Sequence, residues 1–205
     1  DVVDYFGVNN GSAENGAVQN TSGKFGRSFT FDGSDDYVSI SGNVEFNSAW
    51  AMSAWMKRSA ANGVFTVMDF NDNANVCYIR IGEIIANAAS VSCSGSLSIA
   101  DSSDISDGNW HHLVGTKDSS NSSLYVDGVL VGTDSSFTTA ANFTSSQSQI
   151  GRELWGGTQY FPFDGSIDEV MIFNRSLSAS EILALYNATR IDFQTNLSDG
   201  NHTYK

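Results

Sequence analysis

One loop of the sequence combines aromatic rings with polar side chains in the way that sugar-binding sites do. It covers residues 152–162 and includes Trp155, Gln159 and Tyr160. An aromatic ring can stack on a sugar face, while the polar groups of Arg152, Glu153 and Gln159 bind the hydroxyls around it. The predicted carbohydrate-binding residues are Arg152, Trp155, Gln159 and Tyr160. In the alternative interpretation these rings only cover the end of a sheet.

Other common chemistries have no support in the sequence. It contains no Gly-x-Ser-x-Gly, no His-Glu-x-x-His and no phosphate-binding loop. His111 and His112 are adjacent, so on a strand they point to opposite faces and cannot bind one metal ion together. The net charge of −13 disfavours nucleic acid and anionic membranes as partners. No apolar run approaches the roughly 18 residues of a membrane span, so no membrane insertion is expected.

Two cysteines lie in segments with the alternation of strands, Val76–Ile81 and Ala89–Cys93. If these segments form a hairpin around residues 83–87, Cys77 faces Cys93 and Ile79 faces Val91. Opposite residues of neighbouring strands have Cβ atoms about 5 Å apart, which small adjustments bring within reach of a disulfide. We expect this disulfide and therefore an oxidising compartment. Two buried free thiols are the alternative.

Asn-x-Ser/Thr acceptor sequences recur along the chain and would carry glycans on exposed loops of a secreted protein. Together with the predicted disulfide they indicate an extracellular or cell-surface glycoprotein. The sequence shows no apolar leader ahead of Asp1, so we expect a mature or excised product. The predicted glycosylation sites are Asn10, Asn20, Asn121, Asn142, Asn174, Asn187, Asn196 and Asn201.

Short alternating runs, separated by clusters of Gly, Asn, Asp and Ser, predict an all-β protein. Asp127-Gly128 lies between two such runs and favours a type I′ hairpin turn. About a dozen strands with hardly any helix indicate a two-sheet antiparallel sandwich. The predicted strands are residues 29–31, 37–40, 51–57, 64–69, 76–81, 89–93, 97–100, 111–117, 123–126, 129–133 and 170–173.

A capping box predicts one short helix near the end of the chain. Ser178 can accept the amide of Glu181 while the Glu181 side chain reaches back. Ile182, Leu185 and Tyr186 then share one helical face. We expect this helix to pack across one end of the sandwich. The large rings of Trp55, Trp110 and Tyr125 are expected to fill the space between the sheets.

Four stretches of the chain carry a family likeness. They are residues 23–38 (GKFG leading to FDGSDDYV), 51–57 (AMSAWMK), 107–128 (DGNWHHLV, then LYVDG) and 163–177 (FDGSIDEV, then IFNR). In this order they resemble the laminin G-like domain of the concanavalin A-like lectin/glucanase superfamily, over roughly residues 4–187. The resemblance implies a jelly-roll sandwich, here predicted for residues 1–188, with a separate C-terminal tail at residues 189–205.

The resemblance also implies a calcium site. Members often bind calcium near one sheet edge, through an early Asp/Asn/Gly loop and the acidic residue before the last long strand. Residues 4–11 and Asp168 resemble those elements, and Ca²⁺ prefers oxygen ligands of this kind. The predicted structural calcium ligands are Asp4, Asn10, Asp32 and Asp168. Alternatively, Asp4 and Asp168 only cap turns through backbone amides.

Catalysis is not expected. Glycosidases with this fold place carboxylates at alternate positions of one strand, and a retaining mechanism needs two of them about 5 Å apart. The nearest match here is Asp168, but Val170 and Ile172 share its face and cannot transfer protons. Glu169 would point to the other side. The sequence therefore predicts a protein that is not an enzyme.

The two ends of the sequence suggest an assembly. Family members usually open with an apolar strand before the early loop, and this sequence begins without one. The tail has alternating apolar residues at Ile191, Phe193 and Leu197. Such a segment can fill the place of a missing strand in a neighbouring copy, which would build a head-to-tail filament. Alternatively, the tail begins a following immunoglobulin-like domain of a larger surface protein.

These observations lead to one functional prediction and one alternative. The prediction is a non-catalytic, extracellular structural or adhesive module, the subunit of a glycosylated fibre or surface array joined through its C-terminal tail. The alternative is a calcium-dependent carbohydrate-binding (lectin) module. The expected partners are other copies of the chain or further domains of a surface protein, and glycans in the lectin alternative.

Overall fold

The described part of the protein, represented by a computed structural model, is built mainly from two large antiparallel sheets and one helix. The structure describes residues 2–3, 9–59, 62–93, 99–135 and 143–190. The jelly-roll prediction is confirmed. Several predicted functional residues lie outside the described residues, namely Asp4, Asn142, Ile191, Phe193, Asn196, Leu197 and Asn201.

The first large sheet, here called the front sheet, has seven strands. Its order is β1 (Gly11–Glu14), β4 (Tyr37–Ile40), β15 (Gln147–Ile150), β7 (Phe65–Asn71), β8 (Val76–Ile81), β9 (Ala89–Cys93) and β10 (Ile99–Ala100).

The second large sheet, the back sheet, also has seven strands. Its order is β13 (Val129–Asp134), β12 (Ser122–Val126), β11 (Trp110–Lys117), β6 (Trp50–Lys57), β18 (Asp164–Phe173), β3 (Ser28–Asp32) and β2 (Val18–Asn20). Two small ribbons and a helix complete the described fold: β5 (Val44–Phe46) with β14 (Phe143–Ser145), β16 (Glu153–Trp155) with β17 (Thr158–Tyr160), and α1 (Ala179–Arg190).

The main hydrophobic core lies between the inner faces of the two sheets. Alternate residues of each strand point inward, because successive side chains of a strand point to opposite faces. The outward-facing residues of the front sheet are mostly polar, which leaves that face available for a site. The largest buried apolar side chains of this core include Phe31, Phe46, Trp50, Met52, Met56, Met68, Phe70, Ile79, Ile81 and Phe163.

The two hairpins predicted from the sequence are present. Asp127 and Gly128 both have positive φ, 51° and 79°, as a type I′ turn requires. In the β8–β9 hairpin Cys77 faces Cys93 and Ile79 faces Val91, in the expected register. The two cysteines are fully buried and form a disulfide.

Reducing this disulfide should lower the free energy of unfolding by about 3 kcal/mol, the chain-entropy value for a loop of about 15 residues. The two cysteines are separated by 16 positions, so the bond closes a loop of that size in the unfolded chain. Urea denaturation with and without reductant measures the change. The double variant Cys77→Ala/Cys93→Ala is the control, because reductant should leave its midpoint unchanged. Equal midpoints for the oxidised and reduced natural chain would contradict the prediction.

The helix begins with the predicted capping box but packs elsewhere than expected. The Glu181 amide donates to Ser178 Oγ, and the Ser178 amide donates to Glu181 Oε2. The helix lies on the outer face of the back sheet and not across an end of the sandwich. Its residue Ile182 belongs to a second apolar cluster on that face. That cluster contains Ala51, Val114, Tyr125, Leu177 and Ile182.

The position of Trp55 was also predicted wrongly. Its ring lies outside the back sheet, stacked on Tyr186 of α1 and on His112, at centroid distances of 5.6 and 5.1 Å. Tyr125 belongs to the same outer cluster. Trp55 and Tyr125 lie under the helix and not between the sheets, because α1 converts part of an outer face into a second core. Trp110 shares the His112 face of β11 and is half-buried, so its predicted place between the sheets was also wrong. His112 is buried there with Ser53, and burial lowers its pKa to about 4.

Candidate functional site

The β16–β17 hairpin lies over the outer face of the front sheet. Its turn is Gly156-Gly157, with φ of 58° and 80°, values that suit a type I′ turn and glycine. Glu153 pairs with Tyr160, and Trp155 pairs with Thr158. These pairs share one face of the ribbon, and that face is turned toward β8.

A shallow, open cleft of about 360 Å³ lies between this hairpin and β8. Its size is at the lower end of the range for small-ligand sites. Trp155 and Tyr160 are 36% and 41% exposed, so their rings remain available to a ligand. The lining residues are Val76, Tyr78, Arg80, Glu153, Trp155, Tyr160 and Phe161.

Arg80 is the central polar residue of the cleft. Its guanidinium group forms ion pairs with Glu83 at 2.8 Å and with Glu153 at 2.7 Å. It also lies over the Tyr78 ring, 3.5 Å from the centroid, and 4.9 Å from that of Phe161. These contacts fix a planar group with several donors between two carboxylates, a geometry suited to neighbouring hydroxyl groups.

Glu83 is held in place from several sides. Its Oε1 accepts hydrogen bonds from the Tyr78 hydroxyl and the Arg80 guanidinium, both at 2.8 Å. Its Oε2 accepts one from the Ser90 hydroxyl at 3.1 Å. Glu83 belongs to the loop that joins β8 to β9, so these bonds fold that loop over the front sheet. The polar part of the cleft is therefore preorganised.

Asn71 and Asp69 anchor the hairpin from below. The Asn71 amide group donates to Asp69 Oδ2 at 2.6 Å and to the Leu154 carbonyl at 2.8 Å. Asp69 is fully buried, and this burial raises its pKa to about 7. Burial also raises the pKa of Glu153, while the ion pair with Arg80 opposes that rise. The cleft thus rests on charged groups partly withdrawn from water.

The structure divides the four predicted sugar-binding residues. Trp155 and Tyr160 line the cleft together. Gln159 is exposed but pairs with Leu154, on the opposite face of the ribbon. Arg152 is buried away from the cleft, where it lies 3.2 Å from the Tyr37 ring centroid and donates to Gln149 Oε1 at 2.6 Å.

Sequence reasoning missed Tyr78, Arg80 and Phe161 as lining residues of the cleft, and Glu83 as the carboxylate that holds Arg80 in place. The first two alternate along β8, with inward-facing Ile79 between them. That alternation was visible in the sequence and indicated a polar outer face. Their proximity to the hairpin was not visible, because it depends on β16–β17 folding back over the sheet.

The predicted calcium ligands lie on different elements. Asn10 is beside the edge of the front sheet, where its carbonyl accepts from the Ser41 amide and hydroxyl. Asp32 ends β3 and pairs with Asp164, whereas Asp168 lies four residues further along β18, beyond the last β3–β18 pair. These three residues do not form a single oxygen cage. Asp168 accepts the amides of Phe25 and Glu169 at 3.0 and 2.9 Å, as the turn-capping alternative expects.

Among the described residues, one acidic cluster brings ligand atoms within 4.8 Å of each other: Asp32, Asp35 and Asp36. Asp32 Oδ1 already accepts the Ser34 amide, and Asp36 Oδ2 accepts the Asp32 amide. Burial raises the pKa of Asp36, and the hydrogen bond from the Asp32 amide opposes that rise with a smaller effect. These bonds cap the loop after β3, and the calcium site stays a prediction.

The predicted glycosylation sites differ in accessibility. Asn10, Asn174 and Asn187 are exposed, the last of them on α1. Asn20 and Asn121 are half-buried, and Asn20 Oδ1 accepts hydrogen bonds from the Ser22 amide and the Ser28 hydroxyl. Attached glycan is therefore most easily accommodated at the first three positions.

The fold and the sequence together define the family. A laminin G-type family profile, described as the concanavalin A-like lectin/glucanases superfamily, matches residues 32–183. The chain belongs to this superfamily. A search of curated protein sequences gives no match. Within the described part of the chain, no helix has the length and apolar character needed to cross a membrane.

Several solved structures share the fold. Domain 4 of AbnA, a GH43 extracellular arabinanase from Geobacillus stearothermophilus, in complex with arabinotriose, aligns with a TM-score of 0.75 and 18% identity, over 91% of this chain and 93% of that chain. Botulinum neurotoxin type C, whose cell entry depends on two ganglioside molecules, gives 0.72 and 20%, over 92% and 49%.

The binding domain of botulinum neurotoxin DC in complex with rat synaptotagmin II gives a TM-score of 0.68 and 19% identity, over 88% of this chain and 47% of that chain. This chain therefore spans about half the length of the two neurotoxin chains. At these identities the likeness establishes a shared fold.

Proposed function

We propose that this chain is a non-catalytic, extracellular carbohydrate-binding module. The observation that carries the proposal is the cleft in which exposed Trp155 and Tyr160 lie beside the ion-paired Arg80 and Glu153. An aromatic surface next to fixed donors and acceptors matches both sides of a sugar ring. The disulfide between Cys77 and Cys93 supports the extracellular location.

The ligand lies against the hairpin in this proposal. Trp155 or Tyr160 covers the C–H face of one sugar unit, which removes apolar surface from water. Arg80 and Glu153 line the cleft with only 6% and 8% of their surface exposed, and in this proposal that surface makes the polar contacts to sugar hydroxyl groups. Both side chains are already ordered by their ion pair, so little side-chain entropy is lost on binding.

The charges of the cleft favour neutral sugars. Two carboxylates, Glu83 and Glu153, share the single guanidinium group of Arg80, and Asp69 lies below them. The whole chain carries a net charge of −13. A sialic acid or uronic acid would add a negative charge to this surface, and like charges brought together at an interface cost free energy.

The same ion pairs support binding rather than catalysis. A glycosidase needs one carboxylic acid that donates a proton and one carboxylate that attacks or activates water. In the cleft, Glu83 and Glu153 are both ion-paired to Arg80, and Asp69 is buried beneath the hairpin. Their geometry suits hydroxyl recognition.

The similar structures agree with this proposal at the level of their ligands. The arabinanase domain was solved with arabinotriose, a neutral oligosaccharide, and type C neurotoxin depends on gangliosides. The first of these ligands is neutral, like the sugars that this chain is proposed to prefer.

Calorimetric titration of the purified chain tests the proposal. The panel contains neutral oligosaccharides, arabinotriose among them, and acidic ones such as sialyllactose and a trigalacturonate. We expect saturable binding of a neutral member, and at least about tenfold weaker binding of the acidic ones, which corresponds to 1.4 kcal/mol. EDTA should leave the binding unchanged, because the acidic cluster found among the described residues, Asp32, Asp35 and Asp36, does not line the cleft. If none of the panel binds, the proposal is wrong.

A further inference from the structure

A second and larger concavity lies at one margin of the sandwich. It is a groove of about 1130 Å³ between β4 and β15 of the front sheet and β3 and β18 of the back sheet. Many of its walls are inward-facing core residues, so the groove leads into the space between the sheets. Its apolar lining includes Val38, Ile40, Ile150, Val170 and Ile172, and polar residues such as Arg27 and Glu45 line it as well.

The groove runs beside an unpaired strand edge. From Asp164 to Ile167, β18 pairs with β3 on one side and in part with β6 on the other. From Met171 to Phe173 the described pairing is with β6 alone. Within the described ranges, the other edge of this half of β18 has no strand partner.

A β-bulge explains why β3 leaves β18 at this point. The β6–β18 register shifts by one residue between Asp168 and Met171, and Glu169 has a φ of 48°. Asp168 holds the bulge and the neighbouring loop together by accepting the amides of Glu169 and Phe25. Beyond the bulge, Val170 and Ile172 turn toward the core and are only half-buried. The bulge thus leaves a slot along the second half of β18, next to the groove.

An extended peptide segment suits an open strand edge that borders an apolar groove. A strand laid along β18 would pair with its free N–H and C=O groups, as in β-strand addition. Every second side chain of that strand would point into the apolar groove, and the others would point outward. The occupant must therefore alternate between apolar and polar residues.

We infer that the groove is filled by residues 191–197 of a second copy of this chain. Their sequence, Ile-Asp-Phe-Gln-Thr-Asn-Leu, has apolar side chains at Ile191, Phe193 and Leu197 and polar ones between them. These residues follow α1 directly and lie outside the described ranges. Fully extended they span about 23 Å, at about 3.3 Å per residue, enough to cover the free half of β18.

The direction of α1 favours a second copy over the chain's own tail. The helix starts beside Thr116, whose hydroxyl accepts a hydrogen bond from the Leu177 amide. Thr116 pairs with Ala51 of β6, and Ala51 pairs with Phe173 of β18. The helix passes Trp55, the partner of Asp168, at Tyr186. Therefore α1 runs from the Phe173 level of β18 to the Asp168 level.

The chain's own tail would thus enter the slot from the Asp168 end and lie parallel to β18. The two sheets pair antiparallel throughout the described strands, and parallel pairs are slightly less stable. The tail of a second copy can enter from the other end and pair antiparallel. Such a contact joins a tail to a groove and not two identical surfaces, so it propagates head to tail.

Sedimentation velocity over a range of concentrations tests the inference on the full chain. We expect the natural chain to form larger species as its concentration rises. Phe193→Asp should remain monomeric, because it places a charge inside the apolar groove. Gln194→Asp is the matched control: it adds the same charge on the outward face and should assemble like the natural chain. Equal loss of assembly in both variants would overturn the alternating arrangement.

A peptide experiment identifies the occupant. A synthetic peptide of residues 190–198, added to the Phe193→Asp chain, should bind saturably and raise its melting temperature, because it binds only the folded form. The same peptide with the Phe193→Asp change should do neither. A monomeric natural chain whose melting temperature falls on Phe193→Asp would show that its own tail fills the groove. A monomeric chain unaffected by either the variant or the peptide would show that this segment does not occupy the groove. Both results overturn the inference.

Discussion

Trp155→Ala should weaken the binding of a neutral oligosaccharide about 30-fold, which corresponds to the 2 kcal/mol or more of an aromatic anchor. Trp155 is the largest ring of the cleft, and its exposure leaves one side of it for the ligand. It makes few contacts that the fold needs, because it precedes the exposed turn of a small ribbon. Titration calorimetry with the best neutral ligand of the panel measures the change.

Gln159→Ala is the matched control for this prediction. Gln159 is an exposed residue of the same hairpin, but its pairing with Leu154 puts it on the opposite face from Trp155. Its replacement should leave the dissociation constant within about twofold, as expected of residues outside a binding hot spot. An equal loss of ligand affinity in both variants would mean that the other face of the ribbon binds the ligand, or that the hairpin has lost its structure.

Arg80→Lys gives an independent measure of the polar half of the cleft. Lysine keeps the positive charge between Glu83 and Glu153 but cannot donate from a planar fork. We expect the folded structure to persist with weaker sugar binding than in the natural chain.

Local patterns were sufficient for the hairpins and for the helix start. The β8–β9 register follows from strand alternation on both sides of a short loop, and the Asp127-Gly128 turn follows from its backbone requirement. The Ser178–Glu181 capping box is similarly local. In each case the residues that decide the structure are neighbours in sequence, so no knowledge of the distant chain is needed.

The missed elements depend on distant partners. Strands β2, β5, β16 and β17 are only three residues long, too short for alternation to distinguish them from loops. The side of the sheet taken by Trp55 was ambiguous for another reason. In β6 both alternating sets, Met52 with Met56 and Ala51 with Trp55, are apolar, because α1 buries the outer face as well.

The candidate site was predictable only within residues 152–162, which contain Trp155, Tyr160 and Glu153. Trp155 and Tyr160 are recognisable as a sugar platform from residue type and spacing. Arg80 and Glu153 are separated by more than seventy positions, and their 2.7 Å ion pair exists because β8 and the β16–β17 hairpin meet in the fold. A single sequence contains no signal for that encounter.

Asp69→Asn should stabilise the protein at pH 8 by roughly 4 kcal/mol, from a pKa change of about 3 units at 1.36 kcal/mol per unit. Burial raises the pKa of Asp69 from 3.8 to about 7. The folded chain therefore holds this proton more tightly than the unfolded chain does. Stability from this group is fully present below pH 3.8 and is lost as the pH rises toward 7. Asparagine has no charge to bury, so the variant avoids that loss.

Urea denaturation of Asp69→Asn and of the natural chain from pH 4 to pH 8 checks this expectation. The quantity compared is the difference between their free energies of unfolding. It should be small at pH 4 and grow toward pH 7. Asp118→Asn serves as a control of opposite sign, because the Ser120 and Asn121 amides lower the pKa of Asp118. A difference for Asp69→Asn that does not change with pH would mean that Asp69 ionises freely. Asn71 donates hydrogen bonds both to Asp69 and to the Leu154 carbonyl of the hairpin. The buried Asp69 carboxylate therefore helps to position the hairpin of the proposed cleft, although its burial lowers the free energy of unfolding at pH 8.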